Sequence, residues 1–116
     1  MIVLSSTGTS ICILELIANA SAATPTYLFE VTKVGDTVSK SFIAADVSDA
    51  VCRNQRFDIT VSTTENLLNG VVNLTFGEYN YTVYEVATVS LTAPRICTLQ
   101  TGIVIVEGPI IDSIYI

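Results

Sequence analysis

The sequence predicts an all-β sandwich of about seven to eight antiparallel strands. Three observations carry that expectation. Strand-like segments recur at short intervals between turn residues; apolar and polar residues alternate along several of them; and Leu74-Thr75-Phe76-Gly77-Glu78-Tyr79 leads a turn glycine into a strand where Tyr79 and Tyr81 share one face. Leu74-x-x-Gly77-x-Tyr79 has the layout of a tyrosine corner, in which a tyrosine packs inward after a tight corner and its hydroxyl bonds backbone a few residues upstream. Such a corner fixes two sheets of an immunoglobulin-like sandwich against each other, which gives Leu74, Gly77 and Tyr79 a structural role.

The elements follow in order. Met1-Ile2-Val3-Leu4 is apolar but is separated from the first long strand by Ser5-Ser6-Thr7-Gly8-Thr9-Ser10, so residues 1–10 read as an N-terminal arm and 11–116 as one sandwich domain. Strands are expected at Ile11 to Ile17, Tyr27 to Lys33, Thr37 to Ala44, Gln55 to Ser62, Gly70 to Phe76, Tyr79 to Val89, Ile103 to Glu107 and Ile110 to Ile116. Val34-Gly35-Asp36 supplies a tight hairpin, Asn69-Gly70 supplies positions of positive φ, and Pro25, Pro94 and Pro109 stop ladders. Tyr27, Phe29 and Val31 alternate with Glu30 and Thr32, and Phe57, Ile59 and Val61 alternate with Asp58, Thr60 and Ser62, so each strand buries one side. The Tyr79 strand is apolar on both faces, with Tyr79, Tyr81 and Val83 on one and Tyr84 and Val86 on the other, which marks it as central. Ser48-Asp49-Ala50-Val51-Cys52-Arg53 is the one candidate helical turn, capped by Ser48 or Asp46.

Composition narrows the function classes. The chain has 116 residues, half of them hydrophobic and only 14% charged, with a formal net charge of −6. A mean hydropathy of +0.59 is high for a protein that must stay dissolved alone, and points to surface that meets a partner. The acidic balance repels phosphates and anionic membranes, and Arg53 and Arg56 are the one close basic pair, so neither nucleic acid nor a membrane is expected as a partner. No apolar run approaches the roughly 20 residues that cross a bilayer. Ile11 to Ala18 followed by Ala20-Ser21-Ala22 imitates a signal peptide, but no basic residue precedes it and Glu15 interrupts it.

Catalytic patterns are missing from the sequence. Without any histidine, Ser, Thr or Cys lacks its usual activating base, and Cys12, Cys52 and Cys97 show no zinc-ligand spacing and read as buried free thiols. Glu78 and Glu85 cannot form a glycosidase pair from one extended strand: seven positions at about 3.4 Å each separate them by roughly 24 Å, and the odd spacing sends them to opposite faces. Both read as solvated surface charge. Asp46, Asp49 and Asp58 lack the glycine and terminal glutamate of a calcium loop. The sequons at Asn19, Asn73 and Asn80 are expected by chance in a chain so rich in Ser and Thr. No enzymatic activity, cofactor or metal is therefore expected.

The ends carry the interaction signal. Met1, Ile2, Val3 and Leu4 at one end, and Ile110, Ile111, Ile114, Tyr115 and Ile116 at the other, are candidate partner contacts, because a long apolar edge left bare would aggregate.

Several segments in order resemble the small β-sandwich virion proteins of crAss-like tailed phages of gut bacteria. They are Tyr27-Leu28-Phe29-Glu30-Val31, Phe42-Ile43-Ala44-Ala45-Asp46-Val47-Ser48, Arg53-Asn54-Gln55-Arg56-Phe57-Asp58-Ile59, Gly77-Glu78-Tyr79-Asn80-Tyr81-Thr82-Val83-Tyr84-Glu85 and Val106-Glu107-Gly108. The resemblance implies an auxiliary or decoration protein made in the bacterial cytoplasm and carried on the capsid exterior. Its partners would be the major capsid protein and neighbouring virion proteins. The alternative is a surface or tail-associated module that recognises carbohydrate or a host receptor through exposed tyrosines such as Tyr84.

Overall fold

The computed structural model describes residues 2–5, 8–14, 26–45 and 55–107. Among these there is no helix, and eight strands form two sheets: β1 (Ile2–Ser5), β2 (Gly8–Leu14), β3 (Thr26–Lys33), β4 (Ser39–Ala44), β5 (Gln55–Val61), β6 (Val71–Val72), β7 (Gly77–Val86) and β8 (Arg95–Glu107). One sheet runs β1-β8-β7-β3-β4 and the other β2-β5-β6. One core cluster draws on every strand of both sheets, so it lies between them, as in a β-sandwich. The expected helical turn at Ser48 to Arg53, the strand at Ile110 to Ile116, and Met1 lie outside the described residues.

Alternation places the inner side chains as the sequence expects. Tyr27, Phe29 and Val31 of β3 and Phe57, Ile59 and Val61 of β5 are all buried. Phe57 crosses from its sheet to meet Tyr27 edge-on at 5.2 Å and Phe29 edge-on at 5.1 Å, while Phe29 stacks on Phe42 at 5.2 Å. Contacts of this geometry are worth about 0.5–1.5 kcal/mol each beyond the area they bury, which makes this quartet the seam between the sheets. β7 is central, between β8 and β3.

Four expectations need correction. Residues 1–10 are not a detached arm: Ile2–Ser5 pairs with β8, and Gly8 already opens β2. The alternation is only four residues long, too short to read without a partner strand, yet it buries Ile2 and Leu4 and turns Val3 outward. The sheets are also not wholly antiparallel, since β1 runs parallel to β8 and β6 parallel to β5. Gly70 to Phe76 yields only Val71–Val72, because a turn at Asn66–Gly70 precedes it and the corner follows at once; within that turn Gly70 alone has positive φ. Finally β8 is 13 residues long and begins at Arg95, immediately after Pro94, rather than at Ile103. Its first half carries the polar Thr98, Gln100 and Thr101, which hide the strand from a hydropathy reading, and two register shifts against β7 interrupt its period.

The outer face of the five-stranded sheet is covered at one end. Leu28, Ile43, Val86 and Ala93 form a second buried cluster there, joined by Tyr84 and Leu91. Ala93 and Leu91 belong to the β7–β8 connection, so this loop folds back over the sheet and shields the second face of β7.

Candidate functional site

At the start of β7, the Tyr79 hydroxyl donates to the carbonyl of Thr75, four residues upstream, at 2.8 Å. The Thr75 hydroxyl lies 3.1 Å away on the same oxygen and accepts from Lys33 Nζ at 3.1 Å. Leu74 and Tyr79 are buried. Gly77 adopts φ of 144°, a backbone conformation that residues with a side chain rarely take, so the corner favours glycine there. All of this is structural: the corner turns the chain from the sheet of β6 to that of β7.

The middle of the strand is equally closed. Tyr81 is buried and its hydroxyl accepts from Gln100 Nε2 at 2.8 Å. Burial raises its pKa, against a smaller opposing effect of that hydrogen bond. Gly102 lies directly across on β8, where a Cβ would fall 2.7 Å from the Tyr81 ring. Cys12 of β2 faces the same core and is pushed up to about 11 by burial, which makes it an inert thiol.

Glu85 overturns its reading as surface charge: it is fully buried. It sits on the inner face with Tyr79, Tyr81 and Val83, as strand periodicity requires of an even spacing, and Cys97 Sγ donates to its Oε1 at 3.4 Å. Burial first, and then this carboxylate, raise the Cys97 thiol. A neutral thiol beside a buried carboxylate is a hydrogen-bonding partner, not a nucleophile. Glu78 is exposed, so the two carboxylates do occupy opposite faces.

Tyr84 is less exposed than expected. It is half-buried, and Arg95 stands 5.5 Å above its ring while also pairing with Glu30 at 3.4 Å. The ring face on which a sugar would stack is occupied by the protein's own guanidinium. Asn73 and Asn80 are exposed, and Asn19 lies outside the described residues. Asp58 pairs with Arg56 at 3.3 Å, and Asp46 and Asp49 lie outside the described residues. Among the described residues no three acids, cysteines or histidines gather into a metal-binding group.

The open surface lies at the other end of the five-stranded sheet. Val3 of β1 is directly paired with Ile105 of β8; Val3 is 42% exposed, Ile103 is 41% exposed, and Ile105 is half-buried. These three aliphatic side chains line the outer face of the edge strand and its neighbour, beside Glu78 and Asn80 of β7, which pair with Ile105 and Ile103. Of the candidate contacts from the sequence, Val3 alone is shown pointing outward; Ile2 and Leu4 are core residues. Met1, Ile110, Ile111, Ile114, Tyr115 and Ile116 lie outside the described residues. The outward place of Ile103 and Ile105 escaped sequence reading because they sit in a strand whose alternate residues, Val104 and Val106, are core.

Comparison with known proteins gives no match: no family model, no curated protein and no solved structure is significantly similar to this chain.

Proposed function

We propose that this chain is a structural virion protein that binds the outside of a phage capsid and reinforces or decorates the shell. The observation that carries the reading is the aliphatic strip of Val3, Ile103 and Ile105 on the open end of the five-stranded sheet, a surface suited to packing against another protein. The resemblance of segments between Tyr27 and Gly108 to small virion sandwiches supplies the setting, and the closed, tyrosine-filled interior suits a part that holds shape. The partner would be the major capsid protein, with neighbouring virion proteins beside it. Binding only the assembled shell would stabilise it by RT ln(1 + [L]/Kd), about 2.7 kcal/mol per site at a hundredfold excess over Kd.

Cryo-electron microscopy of purified particles tests this directly. Density for the sandwich is expected on the capsid exterior, with the β1–β8 face toward the shell. Density confined to tail fibres, or particles without the protein, would sink the proposal. Because Ile2 and Leu4 belong to the core, deleting residues 1–10 would damage the fold; Val3→Lys tests the surface cleanly and should lower capsid occupancy without unfolding the protein. Full occupancy by that variant would remove the strip from the interface.

A further inference from the structure

Among the described residues, the three-stranded sheet ends in an edge without the usual protection. β2 is seven residues long, Gly8–Leu14, and carries no charge, no proline and no bulge against β5. Among the described residues no strand lies along its other side. The remaining edges differ. β6 has two residues and β1 four. β4 carries Lys40, tied to Glu65 at 2.8 Å and to the Asn73 carbonyl at 3.0 Å, and its Ile43 N–H is used by the Leu67 carbonyl. On β2, Ile11 is 58% exposed and Ile13 63% exposed, both on the outer face. β1 reaches its first half, where the Ser5 N–H donates to Ser10 Oγ at 2.9 Å, and among the described residues no strand pairs with Ile11 to Leu14 on that side.

We infer that β2 is a self-association edge, and that its occupant is β2 of a second copy of this chain, added antiparallel about a two-fold axis through Cys12. Charge selects that occupant. A protein of net charge −6 is repelled by its own copy, but β2 is uncharged, and the neighbouring outward pair on β5, Arg56 and Asp58, is neutral as a unit. Self-complementarity fixes the register. Centred on Cys12, antiparallel pairing sets Ile11 of each copy opposite Ile13 of the other, giving two β-branched aliphatic pairs on the outer face, while Cys12 and Leu14 stay toward their own cores. Centring on Ile11 instead would oppose Ile13 to Thr9 and lose half of that match. The contact joins two three-stranded sheets into one of six strands, at an edge distinct from the β1–β8 strip, and it does not depend on the capsid reading.

The test is sedimentation equilibrium of the full chain up to about 1 mM, where even a Kd of roughly 1 mM leaves a visible dimer fraction. Reversible dimerisation is expected. Ile13→Glu should weaken it tenfold or more, and because Ile13 pairs with Arg56 on β5, the new carboxylate has a cation beside it and the fold should persist by circular dichroism. Val38→Glu, on the β3–β4 connection at 80% exposure, controls for added charge and should leave Kd unchanged. In the doubly substituted Ile11→Cys, Ile13→Cys protein, mild oxidation should trap a covalent dimer, since directly opposed strand residues lie within disulfide reach. A chain that stays monomeric throughout, or a dimer whose Kd Ile13→Glu does not change, overturns the inference.

Discussion

The two ends of β7 bury polar groups by opposite means. At the Tyr79 end the partner is local: the hydroxyl reaches the Thr75 carbonyl four residues back, and the motif that arranges it lies in six consecutive residues. At the Glu85 end the partner is distant in sequence: the carboxylate is buried by the packing of β3, β7 and β8, and the Cys97 thiol that donates to it comes from beyond a loop and a register shift. A buried phenol needs one hydrogen bond to be satisfied, whereas a buried carboxylate needs its surroundings assembled first. The first end is therefore a device for making the fold, and the second a consequence of it.

The largest effect should come from the Glu85 end. Glu85→Ala empties a fully buried site and should lower unfolding free energy by about 3 kcal/mol, with Glu85→Gln, which keeps the volume, costing less. Urea titration of both variants decides it; an Ala variant as stable as wild type would return Glu85 to the surface and erase the contrast. Between the two ends, Gly102→Ala forces a methyl group onto the Tyr81 ring and should cost about 2 kcal/mol by overpacking. An unchanged denaturation midpoint would mean that the ring has space to move. At the corner, Tyr79→Phe keeps the packing and removes one hydrogen bond, for an expected loss of about 1 kcal/mol. If Tyr79→Phe proves more damaging than Glu85→Ala, the ranking of assembled over local burial is reversed.

Two pH effects are smaller and have definite signs. The Glu65 carboxyl is held below its ordinary 4.5 by the hydrogen bond from Lys40, then by the Asn73 N–H. Its folded value is depressed, so the contribution is complete above pH 4.5 and disappears as pH falls through the lowered value; Lys40→Ala should flatten the acid limb of the stability curve there. Cys12 is raised from 9.0 to about 11, so its effect runs the other way: stability should decline between pH 9 and 11 as the unfolded thiol ionises and the buried one does not. Cys12→Val should remove that part of the alkaline slope. In the native protein Cys12 should also resist thiol reagents at pH 8, and rapid labelling at this position would contradict its burial.

Legibility in the sequence followed the range of the interaction. The inner faces of β3 and β5 could be read because a period of two, sustained over seven or eight residues, has one solution. The exposed aliphatic strip could not, because Val3, Ile103 and Ile105 become neighbours only when β1 lies parallel to β8. Tyr84 looked like a recognition residue until Arg95, eleven positions away, was seen to cover it.

By itself the sequence determined the all-β class, the central place of β7, the inward Tyr79 and Tyr81, and the corner that starts at Leu74. Each of these depends on periodicity or on a turn spanning a few residues, which the chain encodes locally. Only the tertiary structure decided that the first residues are an edge strand, that Glu85 is buried, that β8 begins at Arg95, and which apolar side chains face outward. Those outcomes depend on strand partners far apart in sequence, whose register is chosen by the packing of the whole core.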